Sequence, residues 1–202
     1  MNSYRISFSI VILILIAGCS TIAKPDYSVK EKLLIEHLQS WNEFQADGII
    51  IANYNNFAFR KNIHIKKKNE YMKITVFDSG IFGMKPEPFT TITIDSLITI
   101  KTQADVNPAI YKINEFPGIE YLLNPAKLIQ YSNKIVLNNQ LLLTDTVQIT
   151  FSEKMQIIQI DDLISLKRIK LEYQNELRSI QILQNNEQLA KIEIDKITNL
   201  RN

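Results

Sequence analysis

The sequence predicts an α+β fold: a large, strongly curved, one-sided antiparallel sheet with helices over its apolar face. Three observations carry this expectation. From about residue 48 onward, apolar and polar side chains alternate in short runs, the period-2 pattern of strands with one wet face. Isoleucine occurs 34 times in 202 residues, and β-branched side chains favour strands. An apolar helical stripe near the start and a proline-punctuated insert in the middle supply the covering elements.

The first 18 residues stand apart. Arg5 is their only charge, Ile6 to Ala17 is almost wholly apolar, and Ala17-Gly18 closes the run with small residues. That is the layout of a secretory signal peptide, and the run is too short to span about 30 Å of hydrocarbon comfortably. Ile16-Ala17-Gly18-Cys19 resembles the lipobox of bacterial lipoproteins. The resemblance implies that Cys19, the only cysteine of the chain, is acylated (palmitate among its acyl groups) and becomes the first mature residue. It carries at least two chains in such proteins, and two chains hold a protein stably on a membrane. Ser20 at the next position implies an outer-membrane address, periplasmic face, in a two-membrane cell. In any other host the outer face of the cytoplasmic membrane is expected. The predicted organisation is a signal peptide over 1–18, a tether over 19–26 and a single domain over 27–202.

Each element follows from local pattern. Ser28 is expected to cap a helix, with Glu31 as its capping-box partner. The helix runs through VKEKLLIEHLQSWNEFQ, with Leu34, Leu38 and Trp41 on one stripe and His37 beside it. Asp47-Gly48 ends it. GIIIANYNN reads as a strand that turns at Asn55-Asn56. FAFRKNIHIKKK follows, with Arg60, His64, Lys66 and Lys68 on one face and Lys67 near its end. In YMKITVFD, Met72, Ile74 and Val76 share a face. In FTTITIDS, Ile92 and Ile94 lie opposite Thr91 and Thr93, and LITIKT is the next strand. Pro108, Pro117 and Pro125 punctuate the middle, where EYLL and PAKLIQYS are read as helical, the second with proline in its first turn. Strands resume with KIVL, QLLLTDTVQITFS and MQIIQID. The end is a meander, ISLKRIKLEYQ, ELRSIQILQ and QLAKIEIDKI, turning at Asn175 and Asn185-Asn186.

Composition narrows the function. Without residues 1–18 the chain has 22 basic and 21 acidic residues, a net charge of +1, which argues against a nucleic-acid partner. With the cysteine assigned to the anchor, no disulfide, thiol nucleophile or cysteine metal site is expected. No catalytic motif is visible, so no enzyme activity, cofactor or metal is expected. Asp161-Asp162 is a carboxylate pair better explained by turn chemistry, and His37 is read as a stripe-edge histidine. The run RKNIHIKKK is read as a solvated strand face, with orientation on an anionic membrane as its functional alternative.

The element order, the phrase WNEFQADGIII, the apolar loop after the third strand, the Asp95-Ser96 turn and the closing RIKLEYQNELRSIQIL together resemble the LolA/LolB superfamily of lipoprotein-sorting proteins. The resemblance covers about residues 27–202 and, with the lipobox, is nearer the LolB arrangement. It implies an unclosed β-barrel with helices as a lid over an apolar cavity that accepts acyl chains of lipid or lipoprotein. The expected function is therefore envelope lipoprotein or lipid sorting by a membrane-anchored acyl-binding protein, or alternatively an envelope scaffold for protein partners with a filled core. Met72, Ile74, Val76, Ile92 and Ile94 are the expected cavity lining. In SGIFGMKPEPF, the residues Ile81, Phe82 and Met84 occupy a place similar to the LolB loop that contacts membrane or acyl chain; folding back on the barrel mouth is the other reading. LolA-type carriers hold their lid with an arginine inside the cavity, and Arg60 is the nearest candidate by order.

Overall fold

The computed structural model describes residues 27–54, 57–78, 86–104, 107–116 and 118–199. Cys19 and the loop residues Ile81, Phe82 and Met84 lie outside them. The chain opens with helix α1 (Ser28–Ser40) and continues through β1 (Glu43–Tyr54), β2 (Phe57–Lys68), β3 (Tyr71–Phe77), β4 (Pro88–Ile94), β5 (Leu97–Thr102) and β6 (Ala109–Lys112). The insert follows: a 3₁₀ turn at Ile113–Glu115, α2 (Ile119–Leu123), a 3₁₀ segment at Pro125–Tyr131 and α3 (Ser132–Asn138). A second meander closes the chain: β7 (Gln140–Leu143), β8 (Val147–Phe151), β9 (Ile157–Asp162), β10 (Lys167–Tyr173), β11 (Leu177–Gln184) and β12 (Glu187–Asn199).

All twelve strands form one antiparallel sheet in the order β6-β5-β4-β3-β2-β1-β12-β11-β10-β9-β8-β7. Two six-strand meanders meet where β1 pairs with β12, for example Ile50 with Ile192. The edges, β6 and β7, do not pair, so the barrel is unclosed, and the helical insert runs from one edge to the other. The sheet is strongly bent. Laid flat, β6 and β10 would stand eight strand spacings apart, about 38 Å. Yet Phe116, four residues beyond the end of β6 and so within about 14 Å of it along the chain, has the Lys167 Nζ of β10 only 4.9 Å from its ring centroid.

Strand directions sort the connections between two rims. One rim carries the turns at 144–146, 163–166 and 185–186. The other carries the turns at 69–70, 95–96, 152–156 and 174–176. Inward residues of both meanders and of the helices share one core, including Leu34, Leu38, Leu128, Ile135, Ile149 and Ile160, each at most 1% exposed.

Several local expectations are corrected. The helix stops at Ser40, where the Ser40 hydroxyl donates to His37 O (2.7 Å), and β1 begins at Glu43. Asp47-Gly48 is therefore not a helix terminator but a β-bulge against β12. A Cβ on Gly48 would stand 2.0 Å from Glu193 O, which is why glycine occupies the bulge. The Ser28–Glu31 capping box does not form; Tyr27 holds the N-cap position, and Glu31 instead accepts from the Ser132 hydroxyl of α3 (3.3 Å). KIVL is helical, inside α3, because Ile135 and Val136 both reach the core as helical neighbours. QLLLTDTVQITFS is a hairpin, turning on Thr144 and Asp145, both at positive φ. Ala109–Lys112 is a short edge strand. The strand expected from Ile164 starts only at Lys167.

Candidate functional site

The inner face of the first meander is laid out in rows by register. One row joins Phe44, Lys67, Met72, Ile94 and Ile98; the next joins Ala46, Ile65, Ile74, Ile92 and Ile100. All five residues expected to line a cavity thus lie together on one face, Met72 opposite Ile94, Ile74 opposite Ile92, with Val76 beside Ile63. They differ in burial. Met72, Val76 and Ile94 are sealed, while Ile74 and Ile92 are half-buried. Ile50, Ile100, Ile169 and Ile180, also inward by register, are likewise only half-buried against the core.

Among these apolar rows sits one cation. Lys67 is fully buried, at 0% exposure. Its Nζ donates to Asn69 O (2.6 Å) at the β2–β3 turn and to Leu123 O (2.8 Å) at the end of α2. A terminal helical carbonyl has no partner within its own helix, and the lysine supplies one. Burial lowers the Lys67 pKa to about 8, against the opposing pull of Glu70 and Glu43. A neutral amine still has two N–H groups, so both bonds survive its deprotonation. Next door, the Asn124 amide donates to the Glu70 carboxylate. The β2–β3 hairpin therefore grips the insert at two consecutive residues.

The other end of α2 touches the second meander. Gly118, at φ +89°, lies so close to β9 that a Cβ there would stand 2.5 Å from Ile160 Cγ2. Five helical residues thus run from β9 to the end of β2. Further ties hold the helices to the same rim. Lys30 pairs with Glu153 (3.2 Å) and donates to Asn139 Oδ1 (3.3 Å). His37 Nε2 accepts from the Ile157 N–H (3.1 Å), and the ring lies edge-on to Trp41 and Tyr173. Burial lowers its pKa to about 4, so His37 is a neutral acceptor at pH 7, and burial raises the Tyr173 phenol.

Four clefts between described residues measure about 130, 150, 190 and 210 Å³, each below the roughly 300 Å³ at which ligand pockets begin. The first lies between His37, Trp41, Tyr173 and Glu176, the last beside Glu70, Leu123 and Asn124.

Arg60, the lid-holding candidate by order, is exposed on the outer face, whereas Lys67 lies on the inner face and is buried. The sequence carried that signal: Ile63, Ile65 and Lys67 alternate in step, but the surrounding run of lysines hid it. His64 pairs with Asp47 across β1–β2 (2.7 Å) on the outer face. Asp95 accepts from the Leu97 N–H (2.8 Å), an Asx turn.

This open sheet with an edge-to-edge insert is similar in shape to the crystal structure of a LolA superfamily protein from Nitrosomonas europaea. The match has a TM-score of 0.47 and 8% identity, covering 85% of this chain and 93% of that one. A solved LolA superfamily member is therefore among the structures this chain is similar to, as the sequence resemblance implies. It is also similar to the crystal structure of a DUF1329 family protein from Desulfovibrio piger, with a TM-score of 0.44 and 10% identity over 86% of this chain and 93% of that one. No family model and no curated relative matches the sequence. These likenesses describe a shared outline, and the chemistry rests on the residues above.

Proposed function

We propose that this protein is a membrane-anchored lipoprotein that binds acyl chains of lipid or lipoprotein between its curved sheet and its helices, without enzymatic chemistry, for sorting within the bacterial envelope. Cys19 is the expected anchor, and the outer membrane, periplasmic face, is the expected site in a two-membrane host. The helices act as a lid over the concave face, and Met72, Ile74, Val76, Ile92 and Ile94 contact the chain. The observation that carries the reading is the pairing of an apolar inner face, half-buried at Ile50, Ile74, Ile92, Ile100, Ile169 and Ile180, with a polar latch from Lys67 to α2. Burying methylenes against such a face stabilises a complex by about 0.8 kcal/mol each. In this reading the insert moves on ligand entry, breaking the Lys67–Leu123 and Glu70–Asn124 bonds and leaving the sheet paired.

The small size of the clefts between described residues favours a second reading, an envelope scaffold that offers its surface to protein partners. Native mass spectrometry of the full chain, purified with and without a long-chain fatty acid, separates the two. A bound acyl mass supports the carrier. An apo mass under both conditions removes it and leaves the scaffold.

A further inference from the structure

We propose that the β9–β10 turn, residues 163–166, is a lipid-insertion tip whose Leu163, Ile164 and Leu166 enter the apolar layer of a phospholipid bilayer. These side chains are 45%, 76% and 60% exposed, on the rim remote from Lys67. The inference goes beyond acyl binding and does not depend on it.

The turn is built rather than merely exposed. The Leu163 N–H donates to Thr146 O (2.8 Å), the Ile164 N–H to Asp162 Oδ1 (3.0 Å), and the Ser165 hydroxyl to the Asp162 carboxylate. The Asn185 N–H donates to Leu166 O (3.2 Å). The tip thus presents apolar side chains while several of its polar groups are bonded to Asp162 and to the two neighbouring turns, which lowers the cost of bringing its backbone toward hydrocarbon. Leu166 holds φ +55°, as Thr144, Asp145, Asn185 and Asn186 hold positive φ in the neighbouring turns.

A bilayer fits this surface better than a protein does. Three side chains on a convex four-residue turn, flanked by the polar turns at 144–146 and 185–186, fall far short of the roughly 800 Å² per partner that a stable protein interface buries. A bilayer needs no shape complementarity. Local charge also cancels. Arg168 pairs with Asp161 (2.5 Å), and Lys167 lies within electrostatic reach of Asp162. Attraction to anionic headgroups is therefore absent from the mechanism, and insertion is apolar.

The test is Ile164→Trp in the full chain, added to vesicles of neutral phosphatidylcholine with brominated acyl chains. Trp41, 5% exposed, gives the background in the unsubstituted chain. The expected result is a blue shift and bromine quenching beyond that background, unchanged in 0.5 M salt (a screening length of about 4 Å) and unchanged when anionic lipid is included. Adding Leu166→Asp should weaken this partitioning about tenfold, with far-UV circular dichroism unaltered. Emission from the introduced tryptophan that stays unquenched overturns the proposal, as does quenching that arises only with anionic lipid and vanishes in salt. A shift that occurs without vesicles, scales with protein concentration and is abolished by Leu166→Asp overturns it in favour of a second copy of the chain. An acyl mass in native spectrometry alters none of these outcomes.

Discussion

The two rims of the sheet solve opposite problems. At the rim with the 69–70 and 174–176 turns, polar groups are turned inward and tied: Lys67 to α2, His37 to β9, Lys30 to the β8–β9 turn. At the rim with the 163–166 turn, apolar groups are turned outward, and buried Asp162 makes that orientation stable. The difference teaches that each rim departs from the ordinary rule of burial in its own way. The buried cation is bonded within the molecule, and the apolar side chains of the turn face out of it.

The contrast can be broken most severely at the sealed rim. Leu128→Ala, which empties a site at 0% exposure between helix and sheet, is expected to lower unfolding stability by about 2–5 kcal/mol, read by urea denaturation. Next comes the latch. Lys67→Met leaves Leu123 O without a donor and is expected to cost about 1–3 kcal/mol of local stability at α2, seen as faster hydrogen exchange at Tyr121 and Asn124. The same variant sharpens a pH signature. Lys67 titrates near 8 when folded and near 10.5 when unfolded. The unfolded chain binds more protons between those values, so stability rises from pH 8 to 10.5, and this rise should vanish in Lys67→Met.

His37 gives a second signature, of about 3 kcal/mol, in the acid range. Its folded pKa of about 4 lies below the ordinary 6.5, so the unfolded state binds the extra proton and stability is lost as pH falls from 6.5 to 4. His37→Gln should flatten that limb of the curve. The smallest effect belongs to the exposed rim. Ile164→Asp should shift stability by no more than about 0.5 kcal/mol, whereas a polar residue at Leu128 should prevent folding.

Much of the sheet was legible because strand burial has a period of two, and the register of β2 to β5 follows Ile65, Ile74, Ile92 and Ile100 directly. Turn chemistry was legible at Asp95 and Asp162, where a carboxylate meets a backbone N–H two residues on. What escaped depends on tertiary partners. Ile135-Val136 has strand propensity but is helical because α1 and the insert offer it a helical packing surface. Asp47-Gly48 has the composition of a break but is a bulge because Glu193 crowds it. Lys67 was masked by Lys66 and Lys68. Ile164 and Leu166 resemble core residues in sequence, and only strand pairing, which ends at Lys167 with Asp162, leaves them outside.

The most direct test of acyl binding behind a Lys67 latch is uptake of a fluorescent long-chain fatty acid by the full chain and by Lys67→Met, followed in time. Saturable binding by both, with the variant faster by roughly tenfold for about 1.4 kcal/mol of latch energy, is the predicted result. No uptake by either chain, while both remain folded, would contradict the account and leave the scaffold reading.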